Sequence, residues 1–554
     1  MTDNLDGATL WNTVKRSISK NYVFCLVGGV ALVTNVLSLL STPLWVYPDS
    51  IDYIQLATGL ADRFDVENEL YLIRTPGYPV FLAAIFLLAG SASPVVIQIV
   101  HHGMAAATAV IVAWIGWRIS ANRFVALLAG ILSALSLQIL TYANLALTET
   151  PFMLVLCACV GLLIRFHQEG NRRDLAFVSL FAGVGYLIRP VGMYLLAITS
   201  ACAVWRLWQE RRTGKSVGAE WDGRPRLRFA RLLGATGFAI VPAALVMTPW
   251  MAISAYYHGG TQADRCLDYM YYLRAATFDG LDSTASPAMR EIHAVIGEAV
   301  DMGHLPATAD YRDRATVIRA YQAVRGATFA ESSAILGRAG LDLMKEHWPD
   351  IAVGTVKYAV WLLIAPDPAY RFVPGGAPGI EGRRNGTADL FDIGTYAFGP
   401  GSWEWLLNDS RHYLPLASDH RPITEVGKGI ASNFLNRVER GPAVLGVGDS
   451  LYEELMILCL FAGGATMLTR ARGPWFIVGA VVASHVLISA FLSGSQTRYA
   501  LPVKPFLMLY AAFGLVILGS AMKRMARAAA SSVIANSRVD GQGAVASRLS
   551  GAAS

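Results

Sequence analysis

Two carboxylates three residues apart, Asp49 and Asp52, stand just after the first long apolar stretch of this chain, residues 22–41. On a helix that spacing puts both on one face. Arg74-Thr75-Pro76-Gly77-Tyr78-Pro79 then opens a further apolar run, and Glu149 lies in Leu147-Thr148-Glu149-Thr150-Pro151, where a loop enters another. Arg189 in Leu187-Ile188-Arg189-Pro190 and Arg498 in Ser495-Gln496-Thr497-Arg498-Tyr499 occupy similar boundaries, with Lys504 inside the last apolar stretch. A carboxylate can take the proton of a hydroxyl as that hydroxyl attacks an electrophile. Arginine binds phosphate through two parallel donors, and lysine as a point charge. Desolvating a cation at bilayer depth costs several kcal/mol, so cations there point to function by default. Together these residues suit a phosphate on a lipid whose apolar tail stays in the bilayer.

Blander roles exist for each. Either aspartate could cap a helix that begins near Ser50. Thr148 and Glu149 before Pro151 make an ordinary helix start. The cations could snorkel to head groups. Three acids at one depth and on one side are nonetheless hard to treat as three independent caps. The Asp pair could also hold a divalent metal, although no third ligand is evident. His101 and His102, two turns into a span, are expected to be packed and hydrogen-bonded.

The elements that must position these residues follow from composition. The chain has 554 residues, of which 54% are hydrophobic and only 16% charged, where a soluble protein carries about 25% charge. Mean hydropathy is +0.42. The apolar residues come in long runs, so the expectation is an all-α polytopic membrane protein. The net charge of +6 sits largely in short basic loops, which argues for topology and against nucleic acid as a partner. Of the six cysteines, all but Cys266 lie in apolar stretches, so no disulfide framework is expected, and Cys157 and Cys159 read as packing residues. No Walker A loop, dinucleotide fingerprint or zinc spacing is present in the sequence.

Spans are expected near 22–41, 94–117, 123–140, 147–165, 174–189, 191–208, 230–253, 451–469, 474–492 and 499–520. Two shorter apolar runs, 76–90 and 350–365, decide between about ten and about twelve crossings. If neither crosses, Arg118, Arg123, Arg165, Arg172, Arg173, the basic segment 206–231, Arg470, Arg472, Lys523, Arg524 and Arg527 all fall inside, as the positive-inside rule requires. Lys15, Arg16 and Lys20 before an uncleaved first span then place both termini in the cytoplasm. The two short runs become helices at or dipping into the outer surface. The loops 42–93, 254–349 and 366–450 lie outside, the last rich in Gly and Pro and expected to act as an irregular lid.

In this order, Pro48-Asp49-Ser50-x-x-Tyr53, Arg74-Thr75-Pro76-Gly77-Tyr78-Pro79, Thr148-Glu149-Thr150, Arg189-Pro190-Val191-Gly192 and Thr497-Arg498-Tyr499-x-Leu501-Pro502-x-x-Pro505 resemble the GT-C glycosyltransferases. The likeness is greatest to the dolichyl-phosphate-mannose protein mannosyltransferases and the bacterial lipid A aminoarabinose transferases. It extends over about residues 20–255 and, more loosely, 450–520. The resemblance implies a polyprenyl-phosphate-linked sugar donor and a glycan, lipid or protein acceptor, with inversion at the anomeric carbon on the outer face of a bacterial inner membrane. It makes Asp49 the base, with Asp52 as fallback, and Glu149 the residue that orients the acceptor or Asp49. Arg74, Arg189, Arg498 and Lys504 would face the donor phosphate, and Tyr53, Tyr78 and Tyr499 would contact substrate. Ser50 stands where the family often has a second acid, which weakens the case for a metal pair. No soluble cofactor is implied.

The domain reading that follows is a GT-C-like membrane module at 1–255 with its catalytic first outer loop at 42–93. Outer-face loops with a short apolar helix occupy 256–450, C-terminal spans 451–522, and a disordered cytoplasmic tail 523–554. Two other functions use the same cations. A lipid-linked sugar flippase would need charges deep in several spans and inverted repeats, neither of which the sequence shows. An O-antigen ligase or polymerase would lack an acid pair after the first span.

Overall fold

A computed structural model describes residues 7–41, 48–213, 225–258, 262–364, 463–464, 473–493 and 497–550. The expected lid at 366–450 and, apart from residues 463–464, the span at 451–469 lie outside the described residues. Every regular element described is helical, and the chain is an all-α polytopic membrane protein.

The membrane bundle comprises α1 (Gly7–Ser41), α4 (Pro94–Ser120), α5 (Arg123–Ala134), α6 (Leu137–Ala143), α7 (Glu149–Glu169), α8 (Arg172–Ile188), α9 (Tyr194–Thr213) and α10 (Pro225–His258), with α16 (Pro474–Ser493) and α17 (Lys504–Ser550) near the C-terminus. Seven helices among the described residues are long and apolar enough to cross a bilayer, or eight if the α5–α6 pair, bent by 49°, is one span. The expected span at 174–189 is α8, whose 17 residues give about 26 Å at 1.5 Å per residue, the lower limit for crossing. The largest core joins α4, α5, α7, α8, α15 (Trp348–Ile364), α16 and α17 through residues such as Val112, Phe152, Val178, Tyr358, Val481 and Phe506.

One end of the bundle is tied by ion pairs between Arg118 and Glu169 and between Arg165 and Asp174, and by a hydrogen bond of 2.7 Å from Arg206 to the His167 carbonyl. At the other end Asn144, closing α6, takes a 2.8 Å hydrogen bond from Gln98 at the start of α4 and donates one of 2.9 Å to Ser38 at the end of α1. His102 lies between the Asn35 and Asn144 amide oxygens at 2.7 and 3.0 Å, so it is the packed, hydrogen-bonded histidine expected. Residues 38 and 98 thus share one end. The intervening α2 (Pro48–Arg63) and α3 (Gly77–Ala89) therefore leave and return on the same side, and the short run at 76–90 does not cross.

On that side a second unit packs around its own core. It is made of α11 (Gln262–Tyr272), a π-helical turn at Leu273–Phe278, α12 (Pro287–Asp301), α13 (Arg314–Arg325) and α14 (Phe329–Glu346). α15 then turns back into the bundle, placing Tyr358, Ala359 and Leu362 in the main core. One expectation is corrected here. Residues 523–550 are not an irregular tail but the continuation of α17, which runs unbroken to Ser550. Seven of these 28 residues are alanine, a strong helix former, although the Ala/Ser/Gly-rich composition suggested disorder.

Candidate functional site

Asp49 lies in the first turn of α2, immediately after Pro48, a residue suited to a helix start. Asp52 follows one turn later on the same face. Arg74 comes from the loop before α3, set by a 3₁₀ turn at Glu69–Leu72 that is capped by Asn68. Its Nη2 donates to Asp49 Oδ1 at 2.6 Å and Asp52 Oδ2 at 2.8 Å, and its Nε donates to Asp52 Oδ2 at 2.9 Å. The same guanidinium lies 5.3 Å from the centre of the Tyr53 ring. Asp49 Oδ2 faces Arg498 Nη2 at 2.9 Å. Both oxygens of Asp49 are therefore held by arginines.

Glu149 opens α7, and Arg189 closes α8. Pro190 restricts the residue before it to extended backbone, and Arg189 has φ −146° and ψ 125°. The helix stops there, and the side chain meets Glu149 Oε1 at 2.7 Å and donates to Thr148 Oγ1 at 3.2 Å. Tyr499 lies between two cations, with the guanidinium carbons of Arg189 and Arg498 at 4.9 and 5.1 Å from its ring centre.

Two glycines make this convergence possible. A Cβ on Gly77 would stand 2.6 Å from the Leu187 carbonyl, and one on Gly192 would stand 2.7 Å from the Gly185 carbonyl carbon. The loop bearing Arg74 and the turn after Arg189 thus both pack directly on the backbone of α8. Thr75 adds a 2.7 Å hydrogen bond to the Ile188 carbonyl.

Asp49, Tyr53, Arg74, Glu149, Arg189, Arg498 and Tyr499 all line one cavity of about 580 Å³. Apolar residues line it too, among them Val191, Met193, Ala197, Leu267, Ile488 and Leu492. Asp52 reaches the cavity only through Arg74. Lys504 is not among the lining residues. Tyr78 lies behind Tyr53, ring edge to face at 5.1 Å, and its hydroxyl is 3.3 Å from His101 Nε2. Cys157 and Cys159 are fully buried in the core, away from this cavity.

The two aspartates differ in proton affinity. Burial would raise the Asp49 carboxyl, but the Arg74 and Arg498 guanidinium groups outweigh it and hold the group well below the usual carboxylate range. Burial dominates at Asp52, opposed by Arg74 and reinforced by the Asp49 charge, and its carboxyl is raised. Burial pushes the Tyr53 hydroxyl up to about 12, so it stays protonated. Among the described residues no group of three or more His, Cys, Asp or Glu could hold a metal ion. Arg74 fills the position between the two aspartates that a bridging cation would take, so the donor set does not fit a metal.

Sequence reasoning missed three contributors. Arg314, the first residue of α13, lines the cavity from the outer unit, and its guanidinium carbon lies 4.1 Å from the Tyr269 ring centre. His485 in α16 donates from Nε2 to the Tyr499 carbonyl at 2.7 Å and stacks on Phe152, fixing the segment that carries Arg498. A lone histidine in an apolar span was its available signal. For Arg314 and Tyr269 the sequence held none, since both sit in a polar loop more than 200 residues beyond Asp49.

No curated protein matches the chain. Among solved structures it is similar to ArnT from Cupriavidus metallidurans bound to undecaprenyl phosphate, at 12% identity over 90% of this chain and 79% of that one, TM-score 0.34. It is also similar to the archaeal oligosaccharyltransferase AglB from Archaeoglobus fulgidus in complex with an inhibitory peptide and a dolichol-phosphate, at 9% identity and TM-score 0.36. That overlap covers 93% of this chain but only 52% of AglB, so the chain spans about half its length. The family described as dolichyl-phosphate-mannose-protein mannosyltransferase matches residues 74–219, the segment that carries Arg74, Glu149 and Arg189, and over those residues this chain resembles that family.

Proposed function

We propose that the protein is a membrane glycosyltransferase that moves a sugar from a polyprenyl-phosphate donor to a hydroxyl-bearing acceptor at the outer face of the membrane. One observation carries the reading. The cavity is lined by four arginines and two acids together with a larger number of apolar residues such as Val191, Met193, Leu267, Ile488 and Leu492. It therefore suits a ligand that is anionic at one end and hydrocarbon at the other. The family likeness over residues 74–219 supports the donor class, and the short basic loops support an outer location by the positive-inside rule.

In this mechanism the acceptor oxygen attacks the anomeric carbon from the face opposite the phosphate. A new C–O bond forms, and the bond to the phosphate oxygen breaks with its electron pair. Asp49 takes the acceptor proton, and the anomeric centre inverts. Asp49 must release one arginine to do so, and the departing phosphate is the natural recipient of that arginine. Arginine stabilisation of the leaving phosphate is the main electrostatic contribution expected. Glu149 holds Arg189 beside Tyr499 and so orients the same wall. The domain reading gives 1–255 with 451–522 to the transferase membrane module and 256–450 to the outer face; within the latter, Leu267, Tyr269, Met270, Leu273 and Arg314 line the cavity.

The runner-up, a flippase for lipid-linked sugars, would use the same charges. Purified protein in vesicles carrying a fluorescent polyprenyl-phosphate sugar, supplied with an acceptor extract, separates the two. Formation of a glycosylated product supports transfer. Translocation of the lipid with no product contradicts it.

A further inference from the structure

The cations of the cavity are not equivalent. Arg74 is engaged by Asp49 and Asp52, Arg498 by Asp49, and Arg189 by Glu149. Arg314 differs. Among the described residues it makes no ion pair, and its guanidinium rests on the Tyr269 ring. The acid next to it in sequence, Asp313, is turned away. Asp313 caps α13, with Oδ1 accepting from the Ala315 amide at 3.1 Å and Oδ2 from the Thr316 hydroxyl at 2.7 Å, and it faces Arg319 at 3.8 Å. A half-buried cation stacked on an aromatic ring, lining a cavity and making no ion pair among the described residues, is poised for an anion.

Charge bookkeeping agrees. Four arginines and two acids line the cavity, and Asp52 behind Arg74 leaves one positive charge in excess. Among the described residues, Arg314 is the lining arginine that makes no ion pair, so that excess is least compensated there. Burial, opposed by attraction from Asp49 and aided by repulsion from Arg74 and Arg498, lowers the Arg314 guanidinium to about 10. It remains charged at neutral pH, but its surroundings disfavour that charge until an anion arrives.

We infer that Arg314, presented by the outer unit, is the docking group for the phosphate of the incoming lipid-linked ligand, and that the three remaining arginines act chiefly on the acids. The inference rests on the proposed polyprenyl-phosphate donor. It assigns the outer unit a part in donor binding. It also supplies a sequence of events. The phosphate first satisfies Arg314 and then draws Arg498 off Asp49, freeing that carboxylate for the acceptor proton.

The test is direct binding to the full chain in detergent, with three probes: a C55 polyprenyl monophosphate, the corresponding uncharged polyprenol, and inorganic phosphate. Wild type should bind the lipid phosphate more tightly than either of the others. Arg314→Ala should weaken lipid-phosphate binding at least about 10-fold, the value of one charge-assisted contact, and leave polyprenol binding unchanged. Unchanged polyprenol binding also shows that the variant is folded. Arg314→Lys should recover part of the loss. Lipid-phosphate binding undiminished in Arg314→Ala overturns the assignment while leaving the donor class standing. Wild type that does not distinguish lipid phosphate from polyprenol overturns the donor class itself, and the assignment with it. Binding of inorganic phosphate as tight as that of the lipid phosphate, and equally sensitive to Arg314, would replace the lipid with a soluble anion as the ligand.

Discussion

At the residue scale, the acids and arginines of this site restrain one another. Their convergence was legible from the sequence, because each falls at the boundary of an apolar stretch on the same side. Their pairing was not, since nothing in the spacing of Asp49, Arg74 and Arg498 says that both oxygens of one carboxylate are taken by arginines. The pairing sets a pH signature. Asp49 has its carboxyl held below its unfolded value, so its contribution to stability is present above about pH 4 and is lost as pH falls through the lower folded value. As a base it must be ionised, so kcat/KM should stay level down to about pH 4. Arg74→Met removes the strongest opposing cation and lets burial raise the carboxyl. An acid limb should then appear above about pH 4, read from a pH–rate profile. A profile that does not move in Arg74→Met would show that Asp49 is not the titrating base. Asp52, whose carboxyl is raised, touches the cavity only through Arg74. Asp52→Asn should therefore lower kcat by about 10-fold, well short of the 10²–10⁴-fold expected for loss of a base.

At the scale of elements, backbone contacts with α8 align the loop bearing Arg74 and the turn after Arg189. The Gly77 and Gly192 contacts leave no space for a methyl group. Gly77→Ala should cost about 1–3 kcal/mol by overpacking, lowering thermal stability and displacing Arg74 with it. A variant of unchanged stability and rate would show that this approach relaxes freely. The outer unit has its own lock. Arg274 and Asp279 pair in full burial beneath Tyr358, whose hydroxyl donates to Asp279 at 2.6 Å. Asp279→Asn leaves the buried guanidinium without its counter-charge and should destabilise the unit by about 3–5 kcal/mol, seen as earlier proteolysis between 262 and 346. The helical nature of these elements was readable from periodicity. Their docking was not, because the π-helical turn and the glycine contacts depend on partners distant in sequence. The continuation of α17 to Ser550 was misread because low complexity and helix propensity pull alanine-rich stretches in opposite directions.

At the scale of the whole molecule, the cavity stands at one end of the bundle and the Arg118–Glu169 and Arg165–Asp174 pairs at the other. His258 at the end of α10 contacts Val66 on the cavity side at 3.2 Å. Gly473 before α16 approaches His167 at the opposite end. Residues 258 and 473 therefore lie at opposite ends of the bundle. Single cysteines introduced at exposed Phe64 and at Arg173 should react with an impermeant maleimide on opposite sides of intact cells, Phe64 from outside. Labelling of both from one side would contradict the arrangement. The central claim is sugar transfer from a lipid phosphate with Asp49 as base, and a single-turnover assay tests it most directly. Purified wild type and Asp49→Asn are given a labelled polyprenyl-phosphate sugar and an acceptor extract, and the release of polyprenyl phosphate is followed. The account predicts release coupled to glycosylated product in wild type, and a rate at least about 100-fold lower in Asp49→Asn with lipid-phosphate binding retained. Full transfer by Asp49→Asn would contradict it.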